Sequence, residues 1–461
     1  MKAGSYSMPA ARPEASATLQ LVQIEVSPTH PLLVLKRALP WEAITEVMTR
    51  QWRQHGKNVD GGRGLPWDVS LYVPLVVLML IKGFDSRQME AYVAENVVAR
   101  VFIGRQREIK AQIRDHSNIA RAYAALGKSG IDEVNCLVLK EAHGFGFVDE
   151  GSLSADTTAQ ELPIGSPNEP GILRGLAQRC GRALTQLSKR GVQGHAGAME
   201  QVQTILRSVK EHHLFTSGKA DKRQVLTRIM REVGELMVQT RPLLERLGTR
   251  SDRVIQSARS RLMAMHEVIK PLMGQMVHWL TTGKVAANKI VHVGLPQARA
   301  IVRNKAGKKT EFGLAYLISR LGGGYLFGER ITANADERQM PLKALAGYRA
   351  IFGPKATPEL MVYDRGGDST PTRQRLTAAG VKDVGIQPKG KRPWSVAEAV
   401  REQIRSERGR TEGCIGTLKS NRYKFNKPKE RLWQTLEMAG PRSILAFNLN
   451  KFLRDLVALT R

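Results

Sequence analysis

Between residues 172 and 285 the chain runs for more than 100 positions with few helix breakers. Apolar side chains recur there at helical spacing, as Val202, Ile205, Leu206 and Val209 and again as Leu226, Ile229, Met230, Val233 and Met237. On either side lie short apolar runs punctuated by glycine, which read as strands. A sheet made from those runs has to be assembled across the helical block. The block therefore reads as a helical module of its own, and the chain as multidomain.

The strand runs are expected within 145–158, at Ile290–Val293, Gly313–Ile318, Gly324–Phe327, Glu359–Asp364 and Val381–Gln387, with helices over 341–352 and 371–379. The glycine triplet Gly322-Gly323-Gly324 fits a hairpin turn. Residues 1–30, rich in Pro, Ala and Ser, read as a mobile lead. From 31 to 143 the pattern is helical. Leu71 and Leu75 to Leu80 make an almost wholly apolar helix, broken at Lys82 to Ser86. Ser86 is the expected N-cap of the next helix, and Asp115-His116-Ser117 caps another. Short helices joined by short turns fit a helical bundle or a DNA-reading helix-turn-helix. Near the C-terminus, Ser395-Val396-Ala397-Glu398 is a capping-box pattern, expected to start a long helix reaching Leu418. Residues 443–459 predict a final amphipathic helix.

Charge narrows the partners. Lys and Arg number 71 against 42 Asp and Glu, a net of +29 over 461 residues. Residues 171–285 carry +12 and residues 387–431 carry +8. Such an excess repels itself unless an anion relieves it, and a phosphate backbone does so through counterion release. The longest apolar run, Leu71 to Ile81, falls short of the ~20 residues that span a bilayer, so no membrane partner is expected. The N-terminus has no apolar signal region. Cys136, Cys180 and Cys414 are far apart, with no CxxC pair and no disulfide framework. A reducing cytoplasm fits.

Two of the strand runs end at an acid. Asp156 follows Ser-Leu-Ser-Ala and Asp364 follows Leu-Met-Val-Tyr. Ligands collect at strand C-termini in α/β sheets, and adjacent strands would set these carboxylates side by side, where a cation relieves their repulsion. Magnesium suits carboxylate oxygens and keeps waters for phosphate. On the helix after Ser395, Arg408, Glu412 and Lys419 point within about 40° of one another. Alone, Arg408 and Glu412 read as an ordinary i, i+4 ion pair. On one stripe with Lys419, Glu412 reads as a third acid between two cations that face phosphate. Glu402 and Glu407 are rivals, but only Glu412 keeps register with both Arg408 and Lys419.

In this order, the segments resemble bacterial insertion-sequence transposases of the DDE class, whose catalytic domain is RNase H-like. Ser154-Ala-Asp-Thr-Thr-Ala-Gln-Glu161 resembles the family's first-aspartate strand. Val362-Tyr-Asp-Arg-Gly-Gly-Asp-Ser369 resembles its second-aspartate motif, and Arg408-Gly-Arg-Thr-Glu-Gly-Cys-Ile-Gly-Thr-Leu-Lys419 its Arg-x3-Glu-x6-Lys helix. Phe84–Glu90 and Asp115–Ile119 resemble the family's N-terminal helices, and Leu445–Phe452 its C-terminal helix. The likeness runs from about residue 60 to the end. One departure is Arg405, which stands where a version of the signature has tyrosine.

The resemblance implies an α/β multidomain chain: an RNase H-like mixed sheet core over 144–171 and 286–430, an N-terminal helical domain over 31–143 for DNA-end binding or dimerisation, a helical insertion over 172–285, and C-terminal helices over 431–461. It implies strand cleavage and transfer by two-metal phosphoryl transfer. Two Mg²⁺ (Mn²⁺ being possible) would be held by Asp156, Asp364 and Glu412, with Arg408 and Lys419 supporting. Lys389, Lys391, Arg392, Arg422, Lys424 and Lys427 would contact DNA phosphates, or else form a solvated basic face. The implied partners are double-stranded DNA, at the element's terminal inverted repeats and at the target, and further copies of the chain in a dimer or larger assembly. The implied place is the bacterial cytoplasm, at the nucleoid. Two other readings stay open: a different RNase H-like metal nuclease, and an inactive transposase-derived DNA-binding protein.

Overall fold

Carboxylate and amide side chains start four of the described N-terminal helices. Asp68 accepts from the Leu71 N–H at the head of Val69–Lys82, Asn96 from Ala99 at the head of Val97–Phe102, and Asp115 from Ser117 at the head of His116–Gly144. Asp85, not Ser86, caps Ser86–Glu95. It forms a reciprocal capping box with Gln88, whose side chain reaches back to the Asp85 N–H. Two earlier helices, Pro31–Ala38 and Trp41–Gln54, also belong to this part. The long His116–Gly144 helix is interrupted at Gly127, whose φ of 66° suits glycine. This computed structural model describes residues 25–61, 67–105, 113, 115–248, 252–302, 310–333, 335–390, 393–394, 396–430 and 432–459. Most of the expected N-terminal lead, and the DNA-contact candidates Lys391 and Arg392, lie outside the described residues.

Among the described residues, six strands form one mixed sheet: β1 (Asp149–Glu161), β2 (Arg299–Val302), β3 (Thr310–Gly322), β4 (Leu326–Ile331), β5 (Leu360–Tyr363) and β6 (Asp383–Ile386). β3 is antiparallel to β1, and pairs on its other edge with β2 near one end and β4 along the rest. β5 is parallel to β1, and β6 to β5. The glycine triplet makes the β3–β4 turn, as expected. β5 is buried throughout, consistent with its unbroken apolar run.

Between β1 and β2 stand four helices, Glu169–Lys189, Ala196–Leu214, Lys219–Arg246 and Arg253–Thr282. They close on an apolar core of their own, with Leu176, Leu184, Ile205, Ile229, Leu236 and Leu262 fully or almost fully buried. The N-terminal helices instead share one continuous core with the sheet. Trp52, Leu78 and Leu126 belong to the same cluster as Leu153, Leu317 and Met361.

Three further expectations are corrected. Ile290–Val293 is not a strand. Ile290 and Val293 pack into the insertion's core and Val291 into a cluster beneath the sheet, so burial, not strand pairing, explains the apolar run. Asp156 does not end its strand: β1 continues to Glu161 because β3 pairs with it that far. The long C-terminal helix begins at Glu398 with Ala397 as its N-cap and no side-chain cap. Ser395 lies outside the described residues, and the Glu398 carboxylate is taken by Arg401 at 2.9 Å. Among the described residues no single helix is long and apolar enough to cross a membrane. The bent pair Val69–Lys82 and Ser86–Glu95, 103° apart, reaches that composition only jointly, and the first of the two is almost wholly buried in the core.

Candidate active-site cleft

Strand register brings the two aspartates together. β1 and β5 pair in parallel from Ser152 and Leu360 to Ser154 and Val362. The same offset, carried two residues further, sets Asp156 level with Asp364. Asp156 lies just beyond the end of its parallel pairing while still paired with Ile318 of β3. Asp364 lies just past β5 in extended conformation, and its carboxylate accepts the Gly366 N–H at 2.8 Å. Both acids are half-buried.

The Glu398–Leu418 helix lies against β1, β3 and β5. Its buried stripe is Ile404, Glu407, Thr411, Ile415 and Leu418, a 3.6-residue pattern containing two polar members. Thr411 donates to the Ser154 hydroxyl of β1 at 2.8 Å, with both residues almost fully buried. Glu407 is ion-paired with the buried Arg320 of β3 and accepts from Arg410 at 2.8 Å. Turning one residue past this stripe gives Arg408, half-buried, and Glu412, exposed.

These elements enclose a cleft of about 410 Å³ lined by Asp156, Thr157, Glu337, Asp364, Arg408 and Glu412 among others. The three predicted acids and Arg408 therefore share one surface. Glu407, the rival third acid, is committed to Arg320 inside the protein. Lys419 is half-buried at the helix C-cap and is not part of the cleft wall. Among the described residues, no three Asp, Glu, His or Cys side chains are gathered closely enough to hold an ion jointly.

Sequence reasoning missed Glu337. It sits in the turn Glu337–Gln339 between β4 and the helix Met340–Phe352. Its carboxylate lies so near Gly366 that a Cβ there would collide with Glu337 Oε2 and come within 2.9 Å of Asp364 Oδ1. No local pattern marks Glu337, because only the pairing of β4 with β3 brings its turn to the acids. Tyr363, buried beneath the cleft, registers the local charge. Burial first, then the negative charges of Asp364, Asp156 and Glu337, push its hydroxyl pKa upward.

The predicted basic residues divide. Lys389 is exposed beside the second acid, its ammonium donating to the Gly366 carbonyl at 3.2 Å and its N–H to Asp368 at 2.7 Å. Asp368 is buried and also accepts from Arg373 at 2.9 Å, so it holds this corner together. Lys427 is exposed at the far end of β1, its N–H bonded to the Glu161 carbonyl. Lys424 faces the N-terminal helices instead, its ammonium donating to the Gly83 carbonyl at 2.5 Å, while Arg422 donates to Asn450 of the C-terminal helix Ala439–Leu459 at 2.7 Å.

Residues 21–125 match the family described as Transposase domain (DUF772). The matched stretch contains the Phe84–Glu90 and Asp115–Ile119 segments and supports a transposase. No curated protein and no solved structure is matched significantly by the chain.

Proposed function

We propose that the chain is a DDE-class DNA transposase with an RNase H-like core, which cleaves the ends of a mobile element and transfers the strands to target DNA. The observation that carries this reading is the convergence of Asp156, Asp364 and Glu412 on one cleft from two strands and a helix. They are separated by as many as 256 positions in the chain. The match over residues 21–125 supports the same reading from a part of the chain that contributes none of these acids. The mixed sheet, with its acids on adjacent parallel strands and a helix laid across them, supports the RNase H-like assignment.

The donor set fits magnesium, since carboxylate oxygens are its preferred protein ligands. Beside burial, the negative charges of Asp364, Asp156 and Glu337 add to the upward shift of Tyr363. Asp156, Asp364 and Glu412 share the opening without being close enough to hold one ion jointly, so they would hold the ions only after drawing together on them. When bound, divalent metal supplies nucleophile activation and neutralises phosphate charge. The chain's own part is positioning. Strand register fixes Asp156 against Asp364, the Thr411–Ser154 bond sets the height of Glu412, and Arg408 presents a guanidinium to phosphate oxygens at the same opening. Lys389 adds a second cation at the rim beside Asp364. The surplus of +29 draws the DNA backbone in, and two element ends handled together call for more than one copy of the chain.

The test is strand cleavage by the purified protein, with Mg²⁺ and DNA bearing the sequences that flank its gene. Cleavage at the ends of an inverted repeat, lost in Asp364→Asn, supports the reading. Cleavage without preference for such ends supports a general nuclease. End binding without cleavage by the wild-type chain supports the inactive DNA-binding reading.

A further inference from the structure

A pocket of about 270 Å³ lies on the seam between the family-matched stretch and the segment leaving the Glu412 helix. Gly83, Phe84 and Tyr123 form one side, and Lys424, Lys429 and Arg442 the other. Cations outnumber acids in its walls, with Arg422, Lys424, Lys429 and Arg442 against Asp85 and Glu430. Both acids have duties already. Asp85 accepts the Arg87 and Gln88 N–H groups as a helix cap, and Glu430 is ion-paired with Arg442.

Lys424 is held in place deliberately. Its φ of 55° is left-handed, a conformation that a non-glycine residue keeps only where its surroundings impose it. That backbone turns the ammonium onto the Gly83 carbonyl at 2.5 Å, on the opposite wall. Burial, and then the charges of Lys429 and Arg442, lower its pKa, so these cations repel one another across the pocket. Met79, Leu80 and Phe84 make the remaining wall apolar, which strengthens any charge-assisted bond formed inside.

We propose that this pocket binds a phosphate group, held by Lys424 and Lys429, with Arg442, already paired with Glu430, adding to the positive field. A bound phosphate bridges the N-terminal helices to the segment leaving the Glu412 helix, making the seam between them a ligand-dependent joint. A nucleic-acid backbone or a free phosphorylated molecule presents the same group. The backbone source rests on the reading of the chain as a DNA-handling protein; the free source does not.

The experiment uses the full chain in metal-free buffer on an Asp364→Asn background, so that the fate of the cleavage reading does not affect it. Two probes are titrated, a short DNA duplex at several salt concentrations and inorganic pyrophosphate followed by thermal melting. The variants are Lys424→Gln/Lys429→Gln and the exposed single Lys429→Gln, which decides the matter if the double variant fails to fold. Duplex binding weakened several-fold, with the salt slope shallower by about one per lysine removed, supports a DNA phosphate. Pyrophosphate that raises the melting temperature of the parent and not of the variants supports a free phosphate. Unchanged duplex binding together with an unchanged response to pyrophosphate overturns the proposal.

Discussion

Thr411 and Ser154, 257 positions apart, share a buried hydrogen bond of 2.8 Å. Thr411 immediately precedes Glu412, and Ser154 is two residues before Asp156. One contact therefore couples the third acid to the first. Thr411→Val keeps the shape and removes the bond, leaving the Ser154 hydroxyl buried. A loss of about 1–3 kcal/mol in denaturant unfolding is expected, with reduced cleavage. The double variant Thr411→Val/Ser154→Ala should recover part of that stability, a coupling that a double-mutant cycle measures.

Glu407 and Glu412 should separate cleanly into stability and chemistry. Glu407 forms a buried pair with Arg320, so Glu407→Ala strands a buried guanidinium and should cost about 3–5 kcal/mol. Glu412 is exposed, and Glu412→Gln should change stability by no more than about 0.5 kcal/mol while abolishing cleavage. Denaturant unfolding beside a cleavage assay reads both effects. A stable, inactive Glu407→Gln with a fully active Glu412→Gln would exchange their roles.

Gly366 offers a way to disturb the acids without replacing one. Its Cα faces Glu337 and Asp364 so closely that alanine must displace a carboxylate. Glu337 is the end of a flexible side chain and can yield, so Gly366→Ala should leave folding nearly unchanged. Cleavage should fall about 10–100-fold, the range seen when groups supporting a metal ligand are altered. Wild-type cleavage by this variant would mean that the Asp364 corner is not part of the chemistry.

Acid should weaken the helical insertion and the segment packed on it. Burial, with nearby Arg179 for His292 and Arg241 for His266, lowers both histidine pKa values below 6.5. The unfolded chain then binds protons that the folded one refuses. Stability is complete above pH 6.5 and is lost as pH falls from 6.5 toward the folded values. Unfolding free energy measured from pH 7.5 to pH 5 should decline, and His266→Gln/His292→Gln should flatten that decline. An unchanged slope in the double variant would remove these histidines from the account.

The sequence carried the parts of this arrangement that repeat locally. Alternation and apolar runs marked β3 and β5, and helical periodicity marked Val202–Val209 and Leu226–Met237. The spacing of Arg408 and Glu412 put them on one stripe that the structure turns toward the cleft. What depends on register stayed hidden. Asp156 reads as a strand end in isolation, and only pairing with β3 shows that β1 continues. Ile290–Val293 is apolar for the reason any buried segment is, so period alone did not exclude a strand. The Arg320–Glu407 pair and the approach of Glu337 to Asp364 join distant positions through strand pairing that no local pattern encodes.

The most direct test of the central claim is Mn²⁺ binding to the full chain on end-sequence DNA, followed by the paramagnetic signal of the free ion. The wild-type chain should take up divalent ions that Asp156→Asn, Asp364→Asn and Glu412→Gln each lose, with all three variants still bound to DNA. Ion uptake by all three variants equal to that of the wild type would contradict a shared metal site in this cleft.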